Sequence, residues 1–473
     1  MLLLACGHST PATQQPDAGQ PDAGPAACPA PPPRPAVLGT GSATSGSAPG
    51  KVLLRGRIVT PDSVFAPGEV LIQNDRISCV GASCAGADGA TILDTQGVIF
   101  PGLVDAHNHT QYDYLPPWKP PHLYQNRYQW ASEPSYKAAV QSLNANETAH
   151  VCEQVKYGEV RALTGGTTTI QGTFNSNRKC FRTLVHNAEY GNELAPAGDK
   201  MATNIPGVSS IDATAAASLR QQMLDGSLTA YVIHLAEGVD ESSRAEFDQL
   251  EAKGLLLPPV VLIHGTALGQ PELHRMGLAG AKLVWSPLSN LGLYGATTNV
   301  PLARAENVAV ALAPDWTLSG SPSMLDELRV ARHTSCEQWN NALSAKDLTQ
   351  MVTSIPAQLL ALDGQIGRLA PGLLADVLVV ADRGEDPYET LLGATLADVR
   401  LVMIGGVIRY GDPQLMAVSG RTQCESVTMC GAQKTLCVPD NTDGTDTLNQ
   451  SFADISAVVS GFFPSPYPLS TCN

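Results

Sequence analysis

The sequence predicts an α/β protein, a (β/α)8 TIM barrel whose N- and C-terminal flanks combine into a composite β-sandwich. Three observations carry this expectation. From Gly97 to about Gly364, apolar runs that end in polar residues alternate with helix-compatible stretches; the runs are Thr167 to Gln171, Thr229 to His234, Val260 to His264, Lys282 to Trp285 and Val308 to Leu312. The steps from His234 to His264 and from His264 to Ser286 are 30 and 22 residues, about one strand–helix unit each. Short β-rich runs stand on both sides of this region: Val52-Leu53-Leu54, Val70-Leu71-Ile72 and Ile77 to Val80 before it, Ala375 to Val380 and Val399 to Ile404 after it. A few hairpins alone form only a marginal core, so the two flanks are expected to pair across some 300 residues of intervening chain.

Composition sets the outer limits. The chain has 473 residues, 43% of them hydrophobic and 15% charged, which excludes a coiled coil and a wholly disordered protein. A formal net charge of −15 repels phosphate backbones and anionic membrane surfaces, so nucleic acid is excluded as a partner. Eleven cysteines are many for a reducing compartment, and no run of eighteen apolar residues exists to span a bilayer. Together these point to export without a membrane-spanning helix.

In chain order, residues 1–6 end in Leu3-Leu4-Ala5-Cys6, which resembles a bacterial lipobox with Cys6 as the lipidated residue. Residues 7–50 read as a flexible linker: 34 of these 44 are Pro, Gly, Ala, Ser or Thr, and Gln15 to Gly24 is a tandem Gln-Pro-Asp-Ala-Gly repeat. Residues 51–100 form the first part of the sandwich, 101–365 the barrel and 366–412 the second part. Residues 413–473 form a polar, cysteine-containing extension with one helix near Leu448 to Val459. Cys79 and Cys84, and Cys424, Cys430 and Cys437, are spaced for local disulfides; Cys152, Cys180 and Cys336 read as buried thiols.

In such a barrel, chemistry sits at the C-terminal ends of the strands. One run ends in Asp105-Ala106-His107-Asn108-His109, with two histidines sharing one face of an extended strand; others end in His234-Leu235-Ala236-Glu237, in His264-Gly265 and in Pro314-Asp315. Three imidazoles and one carboxylate suffice to hold one divalent ion, zinc or alternatively iron.

These motifs, with Gly165-Gly166-Thr167-Thr168-Thr169, Ser286-Pro287-Leu288-Ser289-Asn290 and Ile366 to Asp376, resemble the metal-dependent amidohydrolase superfamily over roughly Lys51 to Tyr410. The likeness is to its deaminase and chlorohydrolase branch, which includes cytosine, guanine and methylthioadenosine deaminases and triazine hydrolases. The resemblance implies His107, His109, His234 and Asp315 as metal ligands, Glu237 as proton shuttle and His264 as the residue that steadies the attacking water or the developing oxyanion. Asp315 can also carry a proton in transit. Two-metal relatives use a bridging lysine; Lys200 falls in that interval in a loop-like Gly-Asp-Lys-Met context, so a single ion is expected. Asp315 is preceded by Ala-Pro and followed by Trp316-Thr317-Leu318, a departure from the purine-deaminase pattern that leaves the substrate open. Ser289, Asn290, Trp118 and Trp316 are candidate contacts to a planar small-molecule substrate. The aromatics Tyr112, Tyr114, Trp118, Tyr124, Tyr128 and Trp130 either stack on such a substrate or pack among themselves over the barrel mouth. The implied activity is hydrolysis of a non-peptide C–N bond, foremost deamination of a cyclic amidine. Hydrolysis of a cyclic amide, N-acyl or dipeptide bond is the alternative, and a non-catalytic, lipid-anchored surface binding protein is a third reading.

Overall fold

The computed structural model describes residues 28, 34–140, 149–172, 184–189, 194, 200–439 and 449–472. Cys6 and the lipobox, most of the linker and Cys180 lie outside them. Five strands come first: β1 (Ser42–Thr44), β2 (Lys51–Val59), β3 (Val64–Gln73), β4 (Arg76–Gly81) and β5 (Thr91–Pro101). Eight short strands follow: β6 (Leu103–Asp105), β7 (Thr167–Ile170), β8 (His186–Asn187), β9 (Met201–Asn204), β10 (Ala230–Leu235), β11 (Val260–His264), β12 (Lys282–Trp285) and β13 (Val310–Leu312). The last five are β14 (Val377–Ala381), β15 (Val399–Ile404), β16 (Val407–Gly411), β17 (Glu425–Met429) and β18 (Ala432–Leu436).

The eight middle strands pair in parallel in two groups, β6-β7-β8 and β13-β12-β11-β10-β9. A parallel bridge between Asn108 and Asp315 joins the groups at the end where the site lies. The expected closed barrel is not completed by a ladder among the described residues: β8, two residues long, pairs with β7 and not with β9. Helices capped by local side chains return the chain between strands, as where Asp212 accepts the Ala215 amide and Asp240 the Ser243 amide. β10 and β11 are buried on both faces, and their side chains divide between two cores. Val232, Val261, Ile263, Val284 and Ala311 join one cluster, whereas Tyr231, Ile233, Leu262, Leu283 and Leu312 pack with helix residues such as Phe247 and Leu250.

The flanks form one continuous mixed sheet rather than two facing ones, in the order β17-β18-β16-β15-β14-β5-β2-β3-β4, with β1 on β5. Its hinge is the antiparallel β5–β14 ladder, which sets Val98 opposite Val380, and Leu54, Ile58, Ile99, Val379 and Leu401 share its core. Two expectations need correction. The linker does not run to Gly50: Arg34 pairs with Asp398 at 2.6 Å, the Leu38 amide donates to the Asp382 carbonyl at 2.9 Å, and β1 lies antiparallel on β5. Backbone pairing and ion pairs order this segment where side-chain burial could not. The residues after Pro413 are likewise no detached tail, since β17 and β18 extend the sheet and the helix Phe452–Phe462 packs on the helix Val151–Thr164.

Disulfides join Cys79 to Cys84, Cys424 to Cys437 and Cys430 to Cys472. Cys336 is no free thiol but is bonded to Cys28, 308 residues away, and Cys152 is also disulfide-bonded. Among the described residues no helix is long and apolar enough to cross a membrane.

Candidate active site

The C-terminal ends of β6, β10, β11 and β13 bring four histidines and two carboxylates to one place. His107 Nε2 and His109 Nε2 face Asp315 Oδ1 at 3.1 and 3.5 Å. The ring of His107 lies 4.8 Å from that of His234 and 5.2 Å from that of His264. Donor atoms of His107, His109 and Asp315 lie within 4.8 Å of one another, as do those of His107, His234 and His264.

Backbone conformation makes this convergence possible. Ala236, His264 and Asp315 all adopt left-handed φ, at +54°, +70° and +66°, which side chains other than glycine rarely take. Strict alternation along β11 would send His264 to the helix side with Leu262; the left-handed turn redirects it to the mouth. Gly320 supports the Asp315 turn by close approach, since a Cβ there would lie 1.8 Å from the Pro314 carbonyl oxygen.

Burial sets the protonation states. It holds His109 down to about 3 and pushes His234 and His264 below their ordinary value as well, so these imidazoles are neutral at physiological pH. Burial alone would raise Asp315, but the facing His107 and His109 outweigh it and keep the carboxylate ionised. Beneath the site, Asp105 accepts from the His107 amide at 3.1 Å and from Asn108 Nδ2 at 2.8 Å, fixing the turn that carries both histidines.

Two polar chains reach the site from behind. Ser289 Oγ donates to Asp315 Oδ2 at 2.8 Å and also contacts Ser319 Oγ at 3.0 Å, which receives the Trp316 indole N–H at 2.7 Å. Asn290 Nδ2 lies 3.1 Å from His264 Nδ1, while Thr297 Oγ1, which accepts from Trp285 Nε1, donates to Asn290 Oδ1 at 3.4 Å. An indole can only donate, so this chain has one direction and leaves Asn290 Nδ2 as a donor to Nδ1. The His264 proton therefore sits on Nε2, which faces Glu237 Oε2 at 3.7 Å. A cavity of about 320 Å³ opens over these groups, walled by Tyr112, Trp130, Tyr136 and Trp316 with Arg127 at one side. A larger groove of about 490 Å³ on the mixed sheet has, among the described residues, no acid–base or metal-ligating cluster on its walls.

The Amidohydrolase family matches residues 226–409. A 5-methylthioadenosine/S-adenosylhomocysteine deaminase of Desulfitobacterium hafniense is 26% identical over 437 residues, covering 80% of this chain and 97% of the relative. Mouse guanine deaminase is 30% identical over 171 residues, 35% of this chain and 38% of the relative. Among solved structures, a triazine hydrolase from Arthrobacter aurescens shares the fold with a TM-score of 0.66 at 17% identity, covering 88% of this chain and 99% of the other. A zinc-bound adenosine deaminase from Xanthomonas campestris does so with a TM-score of 0.64 at 15% identity, covering 87% and 98%. The chain is thus similar to the Amidohydrolase family over residues 226–409 and to a deaminase over most of its length. It is an enzyme, a metal-dependent hydrolase of the deaminase type.

The site fits a divalent ion on its own atoms. His107 Nε2, His234 Nδ1 and Asp315 Oδ1 are buried yet lack a hydrogen-bond partner, a costly state that a cation would relieve. Neutral imidazoles beside an ionised carboxylate are the donor set such an ion takes.

The structure revises the expected substrate contacts. Trp316 lines the cavity, but Trp118 does not: it stacks on Tyr124 at 6.2 Å and donates to Ser135 Oγ at 3.2 Å, bracing the loop from behind. Ser289 and Asn290 are fully buried and hold Asp315 and His264 instead of facing the cavity, because the helix Pro287–Tyr294 starts beneath the mouth. Sequence reading missed Arg127, Tyr136, Tyr294 and Ser319. An Arg-aromatic stretch after the first strand was a usable signal for the first two; nothing local marks Tyr294, 57 residues from Glu237.

Proposed function

We propose that this amidohydrolase deaminates a planar nitrogen heterocycle of the aminopurine or aminotriazine kind, with one zinc ion held by His107, His109, His234 and Asp315. The observation that carries the reading is the placing of Glu237 Oε2 and His264 Nε2 3.7 Å apart, on the cavity wall beside the partnerless donor atoms. When bound, the ion supplies a lowered pKa for water and positive charge for the developing oxyanion. Glu237 Oε2 takes one proton from the attacking water and passes it to the ring nitrogen, then takes the second from the added hydroxyl and passes it to the leaving amine. His264 Nε2–H gives a hydrogen bond, its proton kept, to the oxygen added at the sp² carbon. Asp315, kept ionised and oriented by Ser289, is a ligand and a second proton stop. Water adds, the C–N bond breaks, ammonia leaves and a ring carbonyl remains. Tyr112, Trp130, Tyr136 and Trp316 fit a flat ring. The deaminase relatives and the triazine hydrolase fold support the choice of substrate class.

A single ion is supported by the position of Lys200. It precedes β9 and its carbonyl accepts the Thr229 amide at 2.8 Å, which puts it at the opposite end of the wall, roughly 13 Å from the mouth at strand rise.

The test is ammonia release from 5-methylthioadenosine, S-adenosylhomocysteine, 5′-deoxyadenosine, guanine and aminotriazines, with metal content measured alongside. Ammonia at one equivalent per product, lost on chelation and restored by zinc, is the expected result. Carboxylate release from cyclic amides or dipeptides without ammonia would replace this reading with the cyclic-amide one; tight binding without turnover would support the binding-protein one. We also infer that Cys6 anchors the protein outside the cytoplasm through lipid, in keeping with its many disulfides. Fatty-acid labelling of the full chain that survives Cys6→Ser would refute this.

A further inference from the structure

The two carboxylate oxygens of Glu237 face different surroundings. Oε1 accepts a 2.7 Å hydrogen bond from the Tyr294 hydroxyl, whereas Oε2 faces His264 Nε2 and Arg127 Nη1, each at 3.7 Å. The Tyr294 oxygen in turn lies 2.7 Å from Trp130 Nε1. An indole N–H donates and cannot accept, so Tyr294 accepts from Trp130 and directs its single proton at Glu237. Tyr294 is 5% exposed, and burial raises its phenol well above its ordinary value, so this proton stays on the tyrosine. The three groups come from separate parts of the chain: Trp130 from the short helix Arg127–Trp130 on the cavity wall, Tyr294 from the end of the helix Pro287–Tyr294, and Glu237 from just beyond β10. Backbone bonds button the first to the last, with the Arg127 amide on the Glu237 carbonyl at 3.1 Å and the Val239 amide on the Gln125 carbonyl at 2.7 Å.

We propose that Tyr294, polarised by Trp130, is a positioning residue that occupies Glu237 Oε1 and thereby assigns the transferred proton to Oε2, the oxygen on the cavity side. The inference rests on the reading of Glu237 as proton carrier. A proton on Oε1 would point at the hydrogen of Tyr294 and could settle there only by breaking the Trp130–Tyr294–Glu237 chain. With Oε1 occupied, the carboxylate cannot rotate to offer a random oxygen, and each proton taken up stands within reach of the substrate and of His264.

The experiment compares Tyr294→Phe, Trp130→Phe and Glu237→Gln in purified, zinc-loaded protein, with the panel compound that the parent turns over fastest. Tyr294→Phe is expected to lower kcat by about 10- to 100-fold while KM stays within about twofold, a part of the 10²- to 10⁴-fold that positioned proton transfer contributes. Bound zinc and melting temperature should stay at the parental values. The solvent deuterium isotope effect on kcat should rise, because proton transfer becomes the slow step, and Trp130→Phe should show the same rise with a smaller loss of kcat. Parental kcat and isotope effect in Tyr294→Phe, alongside an inactive Glu237→Gln, would overturn the inference and leave the Glu237 reading standing. An active Glu237→Gln, or no turnover of any panel compound by the parent, would overturn the reading and the inference with it. If Tyr294→Phe loses zinc or melts early, Trp130→Phe decides: an unchanged isotope effect there overturns the proposal.

Discussion

Replacing Asn290 by Asp should invert the tautomer of His264 and remove the proton it presents to the cavity. In the parent, the chain from Trp285 through Thr297 to Asn290 ends with Nδ2 3.1 Å from His264 Nδ1, so Nδ1 accepts and Nε2 carries hydrogen. A carboxylate at 290 has no hydrogen to give; it accepts from Thr297 and draws the imidazole proton to Nδ1, leaving a lone pair on Nε2 toward Glu237 Oε2, 3.7 Å away. One donor to the developing oxyanion is then lost, and such donors contribute about 10²- to 10³-fold in kcat, roughly 2.7–4 kcal/mol. The change is isosteric, and the ligands His107, His109 and Asp315 are untouched, so zinc should be retained. The assay is steady-state ammonia release with zinc analysis and ¹⁵N NMR of the His264 ring, which reports the tautomer directly. A variant that holds full zinc, shows the Nδ1–H tautomer and keeps kcat within about threefold of the parent would refute the donor role. An unchanged Nε2–H signal would refute the polarity argument itself.

Gly320→Ala should displace the Asp315 turn, because its Cβ would meet the Pro314 carbonyl oxygen at 1.8 Å. Metal affinity is expected to fall by about 10- to 100-fold, as when ligand-supporting groups are altered, and chelator competition measures it. Glu327 is buried beneath the Ser286 to Leu288 turn, accepting the Leu288 amide at 3.1 Å and contacting Ser321 Oγ, and burial pushes its carboxyl up to about 8. Between the ordinary carboxylate range and pH 8 the folded chain thus holds a proton that the unfolded chain has released, so this group's contribution to stability declines as pH rises through that window. Denaturant unfolding should show that slope in the parent and a flatter one in Glu327→Gln. Replacing Cys430 and Cys472 by Ser opens a bridge spanning 42 residues, worth about 4 kcal/mol in the loop-entropy account. It should also loosen Tyr467, whose carbonyl accepts from Tyr157 at 2.7 Å and from Arg161 at 2.5 Å. Unfolding curves of the variant that match the parent would refute the first expectation, and parental hydrogen-exchange protection near Tyr467 the second.

Much of the fold was legible because buried parallel strands announce themselves: Val260–His264 is an unbroken apolar run with one polar terminus, and the structure places β11 on those residues. The pairing of the flanks was legible for the same reason, since β14 and the end of β5, Val98-Ile99-Phe100, are continuous apolar stretches. What stayed hidden had weak local texture. His186-Asn187 is too short to read as a strand, and Glu425–Met429 and Ala432–Leu436 carry Glu, Ser, Gln and Lys because they lie at the outer end of the sheet, so they pass for a polar tail. The residue types gathered at the site were legible as strand termini, but side-chain direction was not. Ser289 and Asn290 look like substrate contacts in a linear motif, and only the placement of their helix turns them toward Asp315 and His264.

The same blindness to direction has a physical origin in the three left-handed residues at the mouth. Each such conformation costs of order 1–3 kcal/mol and persists only where the surroundings over-determine it. They do so here: the Ala236 amide is held by the Glu246 carboxylate at 2.8 Å, with Tyr128 on that carboxylate's other oxygen, and Gly265 bonds back to the Leu235 carbonyl at 3.1 Å. The Asp315 turn is closed by the Ser321 amide on the Pro314 carbonyl at 3.2 Å. Periodicity predicts where side chains point only while φ stays negative, so the positions at which the fold departs from periodicity are those where it aims Glu237, His264 and Asp315 at a common point. Because the framework that enforces them is made of backbone and buried polar bonds and not of the ligands themselves, the geometry is set before any ion or substrate arrives, which is what a site needs if reorganisation is not to slow the reaction.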